Sequence, residues 1–268
     1  MFEVADEGTD SVYASVNFTL AAGQSIEALS ANAGAVGLTL TGNELANRIY
    51  GDPGDETLFG QGGNDRLEGG LGIDSLSGGQ GSDRYIVDHA DDTVWESAGQ
   101  GTDIVYAEVD FVLGAGQSIE RLYAYAGDKG LTLTGNELAN SLYGAAGDDV
   151  IIGGEGRDQL TGDLGADRFV LRTLAETGRT AGTADRVLDF TAGTDQLDLS
   201  SLDAVSGGSD DAFSFIGTGS FSRTAGELRV ATEGGWTRVM GDVNGDGLVD
   251  FMVLLLGVHS LSGSDFVL

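Results

Sequence analysis

No cysteine occurs among the 268 residues, so neither a disulfide nor a thiolate zinc site can hold this chain together. Proline occurs once, at Pro53, against 45 glycines, which points to many tight turns between short strands. Histidine is confined to His89 and His259, neither within HExxH, and no GxSxG or phosphate-loop motif appears. His89 lies in VDHADDT, a polar stretch that suits a solvated turn better than a catalytic site. The chain is therefore expected to be no enzyme, with any catalysis residing on a segment ahead of it. No run approaches the roughly 18 apolar residues of a membrane helix, so membrane insertion is not expected. The opening MFEVADEGTD lacks the basic and apolar regions of a secretory signal. Basic side chains are scarce as well, 13 against 43 acidic ones, for a formal charge of −30. Nucleic acids share that sign and are excluded as partners, which makes a cation the natural counterpart.

What the sequence does hold is periodic. Residues 51–86 read GDPGDETLF, GQGGNDRLE, GGLGIDSLS and GGQGSDRYI, four nonapeptides without a gap. A weaker row, GNELANRIY, opens this block, which spans 42–86. A second block, 135–170, reads GNELANSLY, GAAGDDVII, GGEGRDQLT and GDLGADRFV. A longer period overlies these. GTDSVYASVNFTL returns as GTDIVYAEVDFVL, and LTLTGNELAN returns unchanged, both 93 residues later. On that offset Met1, Phe2 and Glu3 fall opposite Val94, Trp95 and Glu96, so the chain is expected to begin in mid-unit, as a piece of a longer protein. VYASVNFTL and VYAEVDFVL alternate apolar and polar residues, over Val12–Leu20 and Val105–Leu113, and period two predicts a strand in each. Residues 1–170 form the repeat domain. From 171 to 268 the nonapeptide is lost, and RVLDF, DQLDLS, ELRVAT, WTRVMGD and DFMVLLL read as antiparallel strands of a second domain that caps the first.

The nonapeptide carries its own chemistry. Its first six residues must turn sharply, which glycine permits, and its last three form a minimal strand with one apolar residue facing inward. One row makes half a coil, so rows n and n+2 stack and bring their acids together. Facing carboxylates in a partly desolvated groove repel unless a cation lies between them. A hard ion that takes six to eight oxygens in flexible geometry answers this, and calcium fits better than magnesium.

These rows resemble the RTX family, whose GGxGxDxUx nonapeptide builds a calcium-binding parallel β-roll. The resemblance implies an all-β fold, a right-handed parallel β-roll or β-helix solenoid with an antiparallel β cap, binding several calcium ions. It also implies the ligands: carbonyls at positions two and four plus the position-six acid from one turn, and carbonyls at positions one and three plus the acid from the next. On this chain Gln61, Gly63 and Asp65 would face Gly78, Gln80 and Asp83, and Asp52, Gly54 and Glu56 would face Gly69, Leu71 and Asp74. In the second block Ala145, Gly147 and Asp149 would face Gly162, Leu164 and Asp167, while Gly153, Glu155 and Asp158 face the weaker row. Glu56 departs from the usual Asp, and Asn47 and Asn140 replace it in the leading rows, which predicts weaker sites there. A further turn ending at Asp103 would share an ion with Asp83 through Gly79 and Gly81.

The last hundred residues, with GTADRVLDFTAGTDQLDLSSL, GELRV, GDVNGDGLVDF and SDFVL, resemble the C-terminal region of serralysin-type proteases and related type I secreted proteins. That likeness implies an extracellular protein and a type I exporter as partner, with Asp265, Phe266, Val267 and Leu268 as its signal. Asp189 and Asp195 are candidates for one more ion. In DVNGDGLVD, Asp242, Asn244, Asp246 and Asp250 take EF-hand-like positions, yet the twelfth position is Val253, and a plain hairpin stands equally open. The repeats are also similar to the R-modules of alginate epimerases, which implies an extracellular polysaccharide as an alternative partner.

Overall fold

The computed structural model describes residues 8–205, 207 and 211–268, so the expected alignment of residues 1–3 lies outside the described residues. The chain divides into two compact units, Met1–Tyr125 and Ala126–Leu268. Both are all-β, and no helix among the described residues is long and apolar enough to cross a membrane.

In the first unit, Ser11–Ala14, Ala28–Ala31, Arg48–Tyr50, Arg66–Glu68, Arg84–Val87, Ile104–Ala107 and Arg121–Ala124 pair in that order as parallel strands of one sheet. A second sheet takes Phe18–Thr19, Thr39–Thr41, Thr57–Gly62, Ser75–Gln80 and Thr93–Val94, again parallel. Consecutive rows alternate between the sheets, so Arg48, Arg66 and Arg84 align at 18-residue intervals. The middle residue of each short strand points inward. Leu29, Ile49, Leu67, Tyr85, Val105 and Leu122 form one fully buried ladder, and Leu40, Leu58 and Leu76 form the other. One inward residue per strand is what the nonapeptide supplies, because neighbours along a strand point to opposite faces.

The period-two segments are not single strands. Val12–Leu20 splits into Ser11–Ala14 and Phe18–Thr19, which lie in different sheets, and Val16 at the corner is 69% exposed. Ile104–Ala107 and Phe111–Val112 break in the same way. Alternation continued across a corner because the inward residues on either side of it happen to keep even spacing.

In the second unit the parallel pattern runs on well past residue 170, which corrects the antiparallel reading of RVLDF and DQLDLS. Asp185–Val187 pairs parallel with Gln159–Thr161, and Gln196–Asp198 pairs parallel with Arg168–Val170. These strands have lost the glycine turn but keep an acid two residues before the buried Val187 and Leu197. The antiparallel part is confined to Glu227–Glu233, Trp236–Asp242 and Phe251–Leu256, which join the parallel sheet where Phe251–Leu256 pairs with Asp185–Val187. Phe266–Val267 closes the other sheet beside Gln196–Asp198.

Candidate metal centres

Each row's acid sits between its turn and its strand, and its two oxygens have different fates. One oxygen accepts the amide of the residue one coil earlier. Asp65 Oδ1 accepts from the Asn47 amide at 2.6 Å, Asp83 Oδ1 from Asp65 at 2.7 Å, and Asp103 Oδ1 from Asp83 at 2.8 Å. On the other side Asp74 Oδ1 accepts from Glu56 at 2.7 Å and Asp92 Oδ1 from Asp74 at 2.9 Å. The second unit repeats this: Asp149 accepts from Leu131, Asp167 from Asp149, Asp158 from Asn140, Asp185 from Asp158 and Asp195 from Asp167.

In seven of these acids the other oxygen has no donor. Glu56 Oε2, Glu96 Oε2 and the Oδ2 atoms of Asp65, Asp74, Asp83, Asp149 and Asp158 are buried without a hydrogen-bond partner. Leaving anionic oxygens buried and unpaired is costly, so a row of them in register demands a cation.

Backbone carbonyls converge on the same gaps. A methyl group on Gly60 would collide with both Asp65 Oδ2 and the Gly78 carbonyl. The Gln61 carbonyl faces Gly79, and the Gly63 carbonyl faces Gly81, whose φ of 130° and lack of a side chain allow that approach. The gap between rows 60–68 and 78–86 is thus lined by one carboxylate oxygen and several carbonyls. Gly144 closes in the same way on Asp149 Oδ2 and the Gly162 carbonyl, while the Gly147 carbonyl meets Gly165. Gly69 packs on Asp74 Oδ2, and the Gly54 carbonyl meets Gly72. An all-oxygen donor set of this kind fits a hard cation, calcium above all.

Other residues expected at these sites are engaged elsewhere. The Leu71 carbonyl accepts the Gly54 amide at 2.6 Å, the Leu164 carbonyl accepts the Gly147 amide at 2.9 Å, and the Ala145 carbonyl accepts the Leu164 amide at 2.9 Å. Glu56 keeps the ladder's division, with Oε1 accepting the Gly37 amide at 2.7 Å, a contact its longer side chain permits, and Oε2 left without a donor. In the leading row the Asn47 side chain satisfies itself: Oδ1 accepts the Asn43 amide at 2.9 Å and Nδ2 donates to the Ile26 carbonyl at 2.8 Å. An amide closes the turn there with no charge to neutralise.

The sequence reading missed Glu96. Asp83, Glu96 and Asp103 are all buried and bring one carboxylate oxygen each within 4.8 Å of one another. Glu96 Oε1 accepts from the amides of Gly78 and Gly79 at 3.1 and 3.2 Å and from the Tyr85 hydroxyl. Tyr85 occupies a position that other rows give to Leu, Ile or Phe, and its hydroxyl also accepts the Gly78 amide at 2.7 Å. The only signal was spacing: Asp83 and Asp103 stand 20 residues apart where the register demands 18. Asp185 and Asp195 were missed as continuations of the ladder because their turns no longer contain the glycine motif.

Burial raises the carboxyl pKa values along the ladder, opposed by the backbone amides and reinforced by neighbouring acids. Asp65, Asp74, Asp103, Asp149 and Asp185 are pushed up to about 7, Asp158 to about 8, and Asp83 and Asp167 to about 6. The groups at about 7 to 8 hold a proton, or another cation, for much of the time at neutral pH.

The Asp242–Asp250 segment is the connection of an antiparallel hairpin. Asp242 accepts the Gly245 and Gly247 amides at 2.7 and 2.8 Å, and Asp250 accepts the Val243 amide at 2.9 Å. Asp189 and Asp195 likewise face amides, those of Gly162 and Asp163 for the first, and Asp167 and Thr191 for the second.

Residues 39–67, 50–85 and 59–94 match the RTX calcium-binding nonapeptide repeat. No curated protein sequence matches the chain. Among solved structures, the AlgE6R3 subunit of the Azotobacter vinelandii mannuronan C5-epimerase is similar at 26% identity and a TM-score of 0.38, over 64% of this chain and 82% of that one. Extracellular lipase LipA from Serratia marcescens is similar at 16% identity and a TM-score of 0.28, over 89% of this chain and 41% of that one. Residues 133–268, half the chain and all of the strands after the second weak row, match the peptidase M10 serralysin C-terminal region. On that match, joined to the nonapeptides before it, this chain belongs to the serralysin C-terminal family and carries RTX calcium-binding repeats.

Proposed function

We propose that the chain is a calcium-dependent folding module of a secreted protein. The observation that carries this is the ladder of buried carboxylate oxygens without donors. Calcium would sit between rows n and n+2. One ion would be held by Asp65, Gln61, Gly63 and Gly78, another by Asp74 with Gly54 and Gly69, and another by Asp149 with Gly147 and Gly162. Asp83, Asp103 and Glu96 would hold one more at the end of the first block. Because the stacked turns exist only in the folded chain, binding adds directly to folding stability. At about tenfold excess over its dissociation constant each ion contributes roughly 1.4 kcal/mol, and several ions exceed the few kcal/mol that usually keep a domain folded. A calcium-poor cytosol would leave the chain loose and threadable, and extracellular calcium would close it after passage through a type I exporter.

Circular dichroism of the purified chain tests this. A coil-like spectrum in chelator should become a β spectrum with millimolar calcium, and magnesium should be a poor substitute. A β spectrum unchanged by chelator would sink the proposal.

A further inference from the structure

One motif stands outside the carboxylate ladder: DVNGDGLVD, the connection between Trp236–Asp242 and Phe251–Leu256. It contains the chain's single Asn-Gly pair, Asn244–Gly245, whereas every other asparagine precedes a residue that carries a side chain. Asparagine is chemically labile because the nitrogen of the following residue can attack its side-chain carbonyl. Glycine in that following place puts no side chain in the way and leaves the backbone free to bend. Asn244 is also exposed, so water reaches the reacting atoms.

The folded hairpin holds both partners of that reaction apart. The Gly245 amide would have to lose its proton and swing onto Asn244 Cγ, but it donates to Asp242 Oδ1 at 2.7 Å. A carboxylate acceptor keeps that proton in a charge-assisted bond. Asp242 is fully buried, and its Oδ2 accepts the Gly247 amide at 2.8 Å, so the acceptor is itself fixed. The Asn244 side chain is tied at both ends. Its Oδ1 accepts the Asp246 amide at 2.8 Å, and its Nδ2 donates to Asp250 Oδ1 at 3.2 Å.

We infer that Asn244 is a deamidation site that the closed hairpin protects and the unfolded chain exposes. Base removes the Gly245 amide proton, and the nitrogen forms a bond to Asn244 Cγ. The Cγ–Nδ2 bond then breaks, and the nitrogen takes a proton from water and leaves as ammonia. A five-membered succinimide remains. Water opens the ring at either carbonyl, which gives aspartate, or isoaspartate with the main chain rerouted through Cγ. One water is consumed and one ammonia released.

Either product places a carboxylate where Nδ2 had donated to Asp250, beside Asp242 and Asp246. Like charges at that range repel. Asp250 is left with the Val243 amide at 2.9 Å and Arg179 at 3.5 Å. Isoaspartate further lengthens a turn whose amides are already placed. The strand that leaves this turn, Phe251–Leu256, joins the antiparallel strands to Asp185–Val187. Deamidation therefore marks chains that have stayed unfolded and weakens the sheet that closes them.

Peptide mass spectrometry of the full chain, aged at mildly alkaline pH, tests this. One sample is folded in saturating calcium, the other unfolded in concentrated urea with chelator. Urea opens the hairpin whether or not ions hold the roll, so the result does not depend on calcium-driven folding. A gain of one mass unit at Asn244, with isoaspartate detected by enzymatic methylation, should run about tenfold or more faster in urea, because in the folded chain the turn must first open. Asp242→Ala and Asp250→Ala, each verified as β by circular dichroism, should speed the reaction in calcium. If either fails to fold, the parent's two rates still decide. Asn244→Asp should lower the urea midpoint of the folded chain. An Asn244 that stays intact in urea, reacts equally fast when folded, or reacts more slowly than the other asparagines in urea would overturn the inference. So would an unchanged midpoint in Asn244→Asp.

Discussion

The amide of Asp65 donates to Oδ1 of Asp83, 18 residues later, at 2.7 Å, while Oδ2 of both side chains stays buried without a donor. Half of each carboxylate is thus spent on stacking one coil upon the next, and half is left for a cation. The two roles can be separated chemically.

Asp65→Asn keeps an oxygen for the Asn47 amide and removes the charge. In chelator the variant should be more stable than the parent, because an ionised group no longer has to be buried. Its calcium midpoint should rise several-fold with the loss of one anionic ligand. Asn47→Ala should act the other way round. It strands the Asn43 amide and the Ile26 carbonyl, lowering stability by about 1–3 kcal/mol with little change in the number of ions bound. Calcium titrations followed by circular dichroism check both, and equal midpoint shifts in the two variants would show that the rows are misassigned.

The raised carboxyl pKa values set a pH dependence whose sign follows from linkage. Between about pH 4, where these acids titrate in the unfolded chain, and pH 6–8, where Asp65, Asp83, Asp158 and Asp185 titrate when folded, the folded chain holds more protons. Stability of the calcium-free fold is therefore greatest at the acid end and is lost as pH rises through 6–8. In chelator, β signal should grow as pH falls from 8 to 5. Protons compete for the same oxygens, so the calcium midpoint should rise over that interval. Half-molar salt screens the surface acids and not the buried ladder, so the trend should survive it. A flat profile at high salt would assign the effect to surface repulsion alone.

Glu96 gives a third test. One of its carboxylate oxygens lies in the cluster with Asp83 and Asp103, Tyr85 bonds it, and Trp95 precedes it in sequence. Terbium, a calcium mimic that emits when a nearby aromatic ring is excited, should luminesce strongly at this position. Glu96→Gln and Tyr85→Phe should each remove much of that emission while the repeat sites still respond to calcium by circular dichroism. Undiminished emission in both would place the bound ion away from Glu96.

The sequence made the roll legible because its information is local. A glycine turn, an acid and one inward residue recur every nine positions, and Leu58, Leu67 and Leu76 sit where that rule puts them. It faltered where the rule is kept by different means. Asp185 and Asp195 continue the carboxylate ladder at 27- and 28-residue spacing, with no glycine motif to announce them. Glu96 enters from a segment that replaces regular rows, and the nonapeptide period does not reach it. The Arg48–Arg66–Arg84 line is visible only once rows n and n+2 are known to be neighbours, for the arginines lie 18 residues apart in the chain.

The proposed export signal meets a constraint from the fold. Asp265 Oδ2 accepts the Ser262 amide at 2.6 Å, and its Oδ1 accepts the Gly193 amide, also at 2.6 Å. Phe266 is buried, and Phe266–Val267 is a paired strand beside Gln196–Asp198. On the proposed function, an exporter would have to read Asp265–Leu268 before this sheet closes, and so before calcium folds the chain. Deleting the four residues would remove a strand along with the signal, so point substitutions are the cleaner probe. Val267 and Leu268 are half-buried, and Val267→Ser/Leu268→Ser should cut secretion through a type I exporter while largely sparing calcium-induced folding. Asp265→Ala should impair both, since it frees two backbone amides. Secretion assays beside calcium titrations of the purified chains distinguish these outcomes. Normal secretion of the Val267/Leu268 variant would move the signal upstream, into the sheet that Asp265 helps to close.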